Sequence, residues 1–141
     1  MAEPASTTKG KTKPKILLLE DDEDLKMTFE AFLNENGYDV MPVSNGVDGI
    51  RELMKAEFEA VICDMNMPTL PGDMFYLAVQ RMRPALCDRF LFVSGQTDAK
   101  VADFITRVGG TILKKPFPVN LLLDMVGYVQ VKSMLGVTAQ A

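Results

Sequence analysis

Five short apolar runs, each followed by a stretch of helical periodicity, constrain this chain more than any other feature. The runs fall at residues 16–19, 38–43, 58–63, 90–93 and 111–113. Runs this short and this apolar fit strands covered on both faces, the condition of a parallel sheet. Between them, four groups recur at helical spacing and are predicted to face the core: Leu25, Phe29, Phe32 and Leu33; Val47, Ile50, Leu53 and Met54; Met74, Leu77, Ala78 and Met82; Val101, Phe104, Ile105 and Val108. Gly37 and Gly109-Gly110 supply helix stops, Asn45-Gly46 a turn, and Asp98 an N-cap. A last helix runs from about residue 118 to the mid-130s, with a core stripe of Val119, Leu122, Leu123, Val126 and Val129. Leu121, Met125 and Tyr128 form a second apolar stripe on another face, a candidate docking patch. Strand and helix alternate five times. The expected fold class is α/β: a doubly wound, five-stranded parallel sheet with helices on both faces.

Composition narrows the function. A chain of 141 residues, 48% hydrophobic, suits one domain with a real core. The expected division is a disordered leader over 1–14, a folded domain over 15–134 and a tail over 135–141. The net charge of −4 argues against direct nucleic-acid contact, which depends on neutralising phosphates. The chain has no His, so Ser-His-Asp and Cys-His catalysis are excluded, and any phosphohistidine must come from another protein. Cys63 and Cys87 make neither a disulfide framework nor a metal-ligand spacing and are expected to be small buried residues. No secretory leader is visible, and the apolar stretch over 119–131 is too short and too interrupted to span a bilayer. A cytoplasmic protein without membrane contact is expected.

In a doubly wound sheet the site lies at the carboxyl ends of the strands. Polar residues collect at that edge here. Glu20 and Asp21 follow the first strand, Asp64 ends the third, Ser94 follows the fourth and Lys115 follows the fifth. Clustered carboxylates repel one another unless a cation is present, and hard oxygen ligands suit Mg²⁺. Glu20, Asp21 and Asp64 are therefore candidate metal ligands. Asp64 is the candidate nucleophile, forming an acyl phosphate. Lys115 and Ser94 are the candidates to meet the oxygens of the incoming phosphoryl group.

Read together, these segments resemble the receiver domain of bacterial two-component response regulators. The resemblance covers about residues 15–131. It rests on Ile16-Leu17-Leu18-Leu19-Glu20-Asp21, Asp64-Met65-Asn66-Met67-Pro68 with Gly72, Val93-Ser94-Gly95 and Lys115-Pro116-Phe117. It implies a flavodoxin-like strand order of 2-1-3-4-5 and a cis Lys115–Pro116 bond. It also implies phosphorylation of Asp64 by a sensor histidine kinase or histidine phosphotransfer protein, and Mg²⁺ held by Glu20, Asp21, Asp64 and the backbone carbonyl of Asn66. Asn66 and Gln96 occupy the positions that flank the site in the family, where they are expected to tune the lifetime of the acyl phosphate. The family switches through an aromatic residue on the fifth strand, and Ile112 stands at that position. A homodimer or a target docked through the fourth helix, fifth strand and last helix is the implied output. The protein is then no enzyme beyond its own phosphorylation and dephosphorylation. Two alternatives are a pseudo-receiver that works as a binding module without phosphorylation, and a phosphatase with an Asp nucleophile. The second needs an Asp where Asn66 stands.

Overall fold

The structure, a computed structural model, describes residues 12–95 and 99–136. Residues 1–11 of the expected leader over 1–14, residues 137–141 of the expected tail over 135–141, the Asp98 cap and Gln96 lie outside the described residues. In chain order the elements are β1 (Lys15–Leu19), α1 (Glu23–Glu35), β2 (Asp39–Val43), α2 (Gly46–Lys55) and β3 (Ala60–Asp64). They continue with α3 (Gly72–Met82), β4 (Phe90–Ser94), α4 (Ala99–Arg107), β5 (Thr111–Lys114) and α5 (Val119–Val131). Short 3₁₀ turns at Pro84–Arg89 and Lys132–Leu135 complete the described chain.

All four strand pairs are parallel, and the sheet order is β2-β1-β3-β4-β5. Every residue of β3 and β4 is buried, which explains their unbroken apolar sequences. Successive side chains alternate between two cores. Leu17, Leu19, Val61, Cys63, Phe90 and Phe92 pack under α2, α3 and α4. Ile16, Leu18, Ala60, Ile62, Leu91 and Val93 pack under α1 and α5. On the first side Tyr76, Phe90, Phe92 and Phe104 form edge-to-face and tilted contacts at 4.9–5.8 Å between centroids. Such pairs add about 0.5–1.5 kcal/mol each beyond area burial. Pro42 sits in β2, an outer strand, where its missing N–H costs no central ladder bond.

The helical phase of α3 differs from the sequence reading. Met74, Leu77 and Met82 are exposed, and the buried face is Phe75, Tyr76 and Val79. Two apolar stripes share this helix, and the one carrying aromatic bulk takes the core because it buries more area. Val47 and Met54 of α2 are likewise exposed. There the close approach to the sheet is made by Gly46 and Gly49, with Leu53. A Cβ at Gly49 would lie 2.9 Å from both Leu19 and Phe75 side-chain atoms, so nothing larger fits between α2 and the sheet without a shift. Helix α5 buries Leu122, Val126 and Val129 as expected. Of its second stripe, Met125 and Tyr128 pack partly against the core and Leu121 is exposed. Both cysteines are buried and free.

Candidate active site at the carboxyl edge of the sheet

Strand register builds the site. β1 and β3 are neighbours with Leu19 opposite Cys63, so the residues that follow, Glu20 and Asp64, emerge side by side at the switch point of the sheet. Strand spacing of about 4.8 Å forces their carboxylates together. Glu20 is 1% exposed and Asp64 3%, whereas Asp21 reaches solvent. One carboxylate oxygen from each of Glu20, Asp21 and Asp64 falls within 4.8 Å of the others. These oxygen donors fit a hard divalent cation such as Mg²⁺.

Lys115 follows β5 on the far side of β4. Its position is fixed by its backbone N–H, which donates to the Ser94 carbonyl at 2.9 Å; the Lys115–Pro116 bond that follows is cis. The ammonium Nζ lies 3.0 Å from Glu20 Oε1 and 3.3 Å from Asp64 Oδ2. The second Glu20 oxygen accepts the Asp22 N–H at 3.1 Å, and Asp64 Oδ1 accepts the Asn66 N–H at 3.0 Å. Ser94 ends β4 fully buried, one register step beyond the Asp64–Val93 pair. Glu20, Asp21, Asp64, Asn66, Ser94 and Lys115 thus occupy one edge of the sheet. Ile112 lies apart, half-buried on β5 opposite Phe92. It lines a cavity of about 180 Å³ with Val101, Ala102, Ile105, Thr106 and Lys114.

The electrostatics follow from burial and crowding. Burial pushes the Glu20 carboxyl up to about 7, against the pull of Lys115 and with the push of the Asp64 charge. Burial disfavours the Lys115 ammonium, but its bonds to Glu20 and the charges of Asp64 and Glu20 outweigh this and raise it. A pH dependence of stability is therefore expected. Glu20 moves from an ordinary 4.5 to about 7 on folding, so the native state binds the extra proton. The stability this gives is fully present below pH 4.5 and is lost as pH rises through 7. The total is on the order of 3 kcal/mol. No His titrates in that window. Urea midpoints measured without Mg²⁺ from pH 4.5 to 8 should fall, and Glu20→Gln should flatten the slope. An equal slope in that variant would assign the effect elsewhere.

Three features of the structure escape sequence reading. Phe117 stacks on Phe29 at 5.5 Å, and with Leu25, Pro116 and the Lys115 stem lines a cavity of about 140 Å³ beside the carboxylates. The loop after Asp64 carries a positive φ at Thr69. Lys132 is 1% exposed, and its Nζ donates to the Gly109 carbonyl at 3.1 Å and to Thr111 Oγ1 at 3.3 Å, tying the end of α5 to the start of β5. Its one sequence signal is position: it continues the buried stripe three residues after Val129. An open cleft of about 550 Å³ lies at the opposite edge, lined by Lys15, Asp39, Glu59 and Arg89 among others, and gathers no comparable convergence on one carboxylate.

The model of the response regulator receiver domain matches residues 16–127. The chain belongs to that family. Phosphoryl acceptance is typical of receivers, which interact with sensor histidine kinases. Among curated relatives, this receiver is 28% identical over 121 residues to the transcriptional regulatory protein PrrA of Mycobacterium bovis, covering 86% of this chain and 50% of that protein. The chain thus spans about half the length of this curated relative. Among solved structures, the chemotaxis response regulator CheY4 of Vibrio cholerae is 28% identical with a TM-score of 0.75, covering 84% of this chain and 99% of that one. A CheY-like receiver from Methanospirillum hungatei superimposes with a TM-score of 0.81 at 18% identity, covering 89% and 99%, a likeness of fold alone. Among the described residues no helix is long and apolar enough to cross a membrane.

Proposed function

We propose that this receiver, spanning residues 15–134, accepts a phosphoryl group on Asp64 from the phosphohistidine of a sensor kinase or histidine phosphotransfer protein. The observation that carries this reading is the convergence of Lys115 and Glu20 on the buried Asp64 carboxylate. An Asp64 oxygen attacks phosphorus, the new P–O bond forms, and the P–N bond to the donor imidazole breaks. Lys115 is within reach to pair with one phosphoryl oxygen, and the Ser94 hydroxyl takes another. Glu20, Asp21, Asp64 and the Asn66 carbonyl would hold Mg²⁺, which supplies charge neutralisation between an anionic nucleophile and an anionic donor. Asn66 and Gln96 then set how readily water reaches the acyl phosphate. The output passes through α4, β5 and α5 to a target or a second copy, and the protein works in the cytoplasm.

The experiment is direct. Protein incubated with Mg²⁺ and acetyl phosphate should gain the mass of one phosphoryl group, and none when Mg²⁺ is chelated. Ile112 at the aromatic switch position favours a second reading, a pseudo-receiver that binds partners without phosphorylation. Absence of any adduct would support that reading and sink the first.

A further inference from the structure

The backbone at Thr69 has φ of 66°. That region suits glycine, and a β-branched residue there is an outlier. The Leu70 N–H donates to the Pro68 carbonyl at 2.8 Å, closing a γ-turn of the rare, strained hand around Thr69. The Thr69 hydroxyl donates to the same carbonyl at 2.6 Å. Something outside the turn must hold it, and the contacts identify what. Leu70 is half-buried against the first residue of α2. A Cβ at Gly46 would lie 2.7 Å from Leu70 Cβ and 2.8 Å from the Leu70 carbonyl oxygen. The loop ends are pinned to the acceptor strand. The Asn66 N–H donates to Asp64 Oδ1, the Gly72 N–H donates to the Met65 carbonyl at 3.3 Å, and a Cβ at Gly72 would meet the Asp64 carbonyl oxygen at 2.8 Å. One short loop is therefore strained at its crown, clamped to α2 by a single leucine, and anchored at the phosphoacceptor.

We infer that Thr69 is a positioning residue: its strained turn is a pivot with a clamped and a released form, and the clamped form, with Leu70 on Gly46, is the one that binds the cation at Asp64. The clamped form holds the Asn66 backbone against the Asp64 carboxylate, where the cation's ligands gather. A ligand that binds one form draws the equilibrium toward it, and the coupling runs both ways. Cation binding at Asp64 thus tightens Leu70 onto α2, and loosening Leu70 weakens the cation. Strain at Thr69 keeps the two forms close enough in free energy for this exchange to register. This inference rests on the phosphoacceptor reading of the site.

The test reads the Leu70 amide by NMR hydrogen exchange and Mg²⁺ affinity by calorimetry, on the full chain. In the unaltered protein, Mg²⁺ at ten times its Kd should slow exchange at Leu70 about tenfold. Thr69→Gly removes the Cβ conflict at positive φ, a relief that outweighs the backbone freedom glycine adds, so Leu70 protection should rise about two- to fivefold, and unchanged or lower protection would overturn the strained turn. Leu70→Ala removes the clamp. Its own amide at position 70 should exchange faster, and the Mg²⁺ Kd should rise about threefold or more, at a urea midpoint that still reports a folded protein. A purely structural role for the turn would change exchange and stability in both variants and leave the Mg²⁺ Kd of Leu70→Ala and the Mg²⁺ response of Leu70 unmoved; that pattern overturns the pivot. If the unaltered protein gains its phosphoryl adduct and binds Mg²⁺ while those two readouts stay flat, the pivot alone falls. If it binds no Mg²⁺, the phosphoacceptor reading falls with it.

Discussion

Asp64→Asn protein incubated with Mg²⁺ and acetyl phosphate is expected to gain no mass, and to bind Mg²⁺ about tenfold or more weakly. The reason is local and complete. The amide keeps the shape of the carboxylate, and its oxygen still accepts the Asn66 N–H that Asp64 Oδ1 accepts at 3.0 Å. Lys115 retains Glu20 at 3.0 Å. The fold should therefore survive, while the proposed nucleophile and one of the proposed metal ligands are both lost. The same substitution should stabilise the protein. It removes one of two neighbouring buried carboxylates, and the Asp64 charge is among the causes that push Glu20 up to about 7. A gain of about 1 kcal/mol in urea is expected, the usual trade between a crowded site and stability. Intact-mass measurement and denaturation on the same sample check both halves. An adduct of equal size in Asp64→Asn would move the acceptor to another side chain. Loss of the adduct together with loss of folding would leave transfer chemistry unassigned to Asp64, and Asp64→Ala would then have to separate the two.

Why Asp64 was legible in the sequence, and other parts were not, has a physical basis. A strand buried on both faces has no position for a carboxylate except its end, so residues 60–63 followed by Asp64 announce an edge. Glu20, Ser94 and Lys115 announce the same edge after three other strands. The parallel sheet then follows from run length together with the alternation of strand and helix, because strands covered on both faces tolerate sequences such as those of β3 and β4. Periodicity fails where two apolar stripes share one helix. In α3 the methionines recur as regularly as Phe75, Tyr76 and Val79, and only the shape of the aromatic cluster around Phe90, Phe92 and Phe104 selects between them. The Pro84–Arg89 turn has no period to read. Thr69 is the opposite case. Threonine argues locally against a positive φ, and the neighbouring Leu70 packs closely on Gly46, a contact between residues 24 apart in sequence that no local signal encodes. Lys132 is a buried charge made tolerable by a carbonyl and a hydroxyl at the start of β5, partners that exist only once the sheet has formed.

Lys115→Met is expected to pull affinity and reactivity in opposite directions: Mg²⁺ should bind about tenfold more tightly, while phosphoryl transfer to Asp64 slows by about 10²–10³. Methionine approximates the lysine stem and can keep its place beside Leu25, Phe29, Pro116 and Phe117. What disappears is a positive charge 3.0 Å from Glu20 and 3.3 Å from Asp64. At about 4 Å and an effective dielectric of about 20, that unit charge repels a divalent cation by up to about 8 kcal/mol. A tenfold gain in affinity, about 1.4 kcal/mol, asks for only part of it. Glu20, no longer held by an ammonium, should rise from about 7 to a higher value before Mg²⁺ is added and fall again on binding, so the gain should be larger at pH 8 than at pH 6. The transfer step suffers because a fixed donor aimed at developing charge on the phosphoryl oxygens is missing, and such donors are worth about 10²–10³ in rate. Tight Mg²⁺ binding with slow transfer means that the ammonium and the cation oppose each other at rest and cooperate in the transition state. Weaker Mg²⁺ binding in Lys115→Met would instead make Lys115 a brace that orients Glu20 and Asp64, and would require its role in transfer to be indirect.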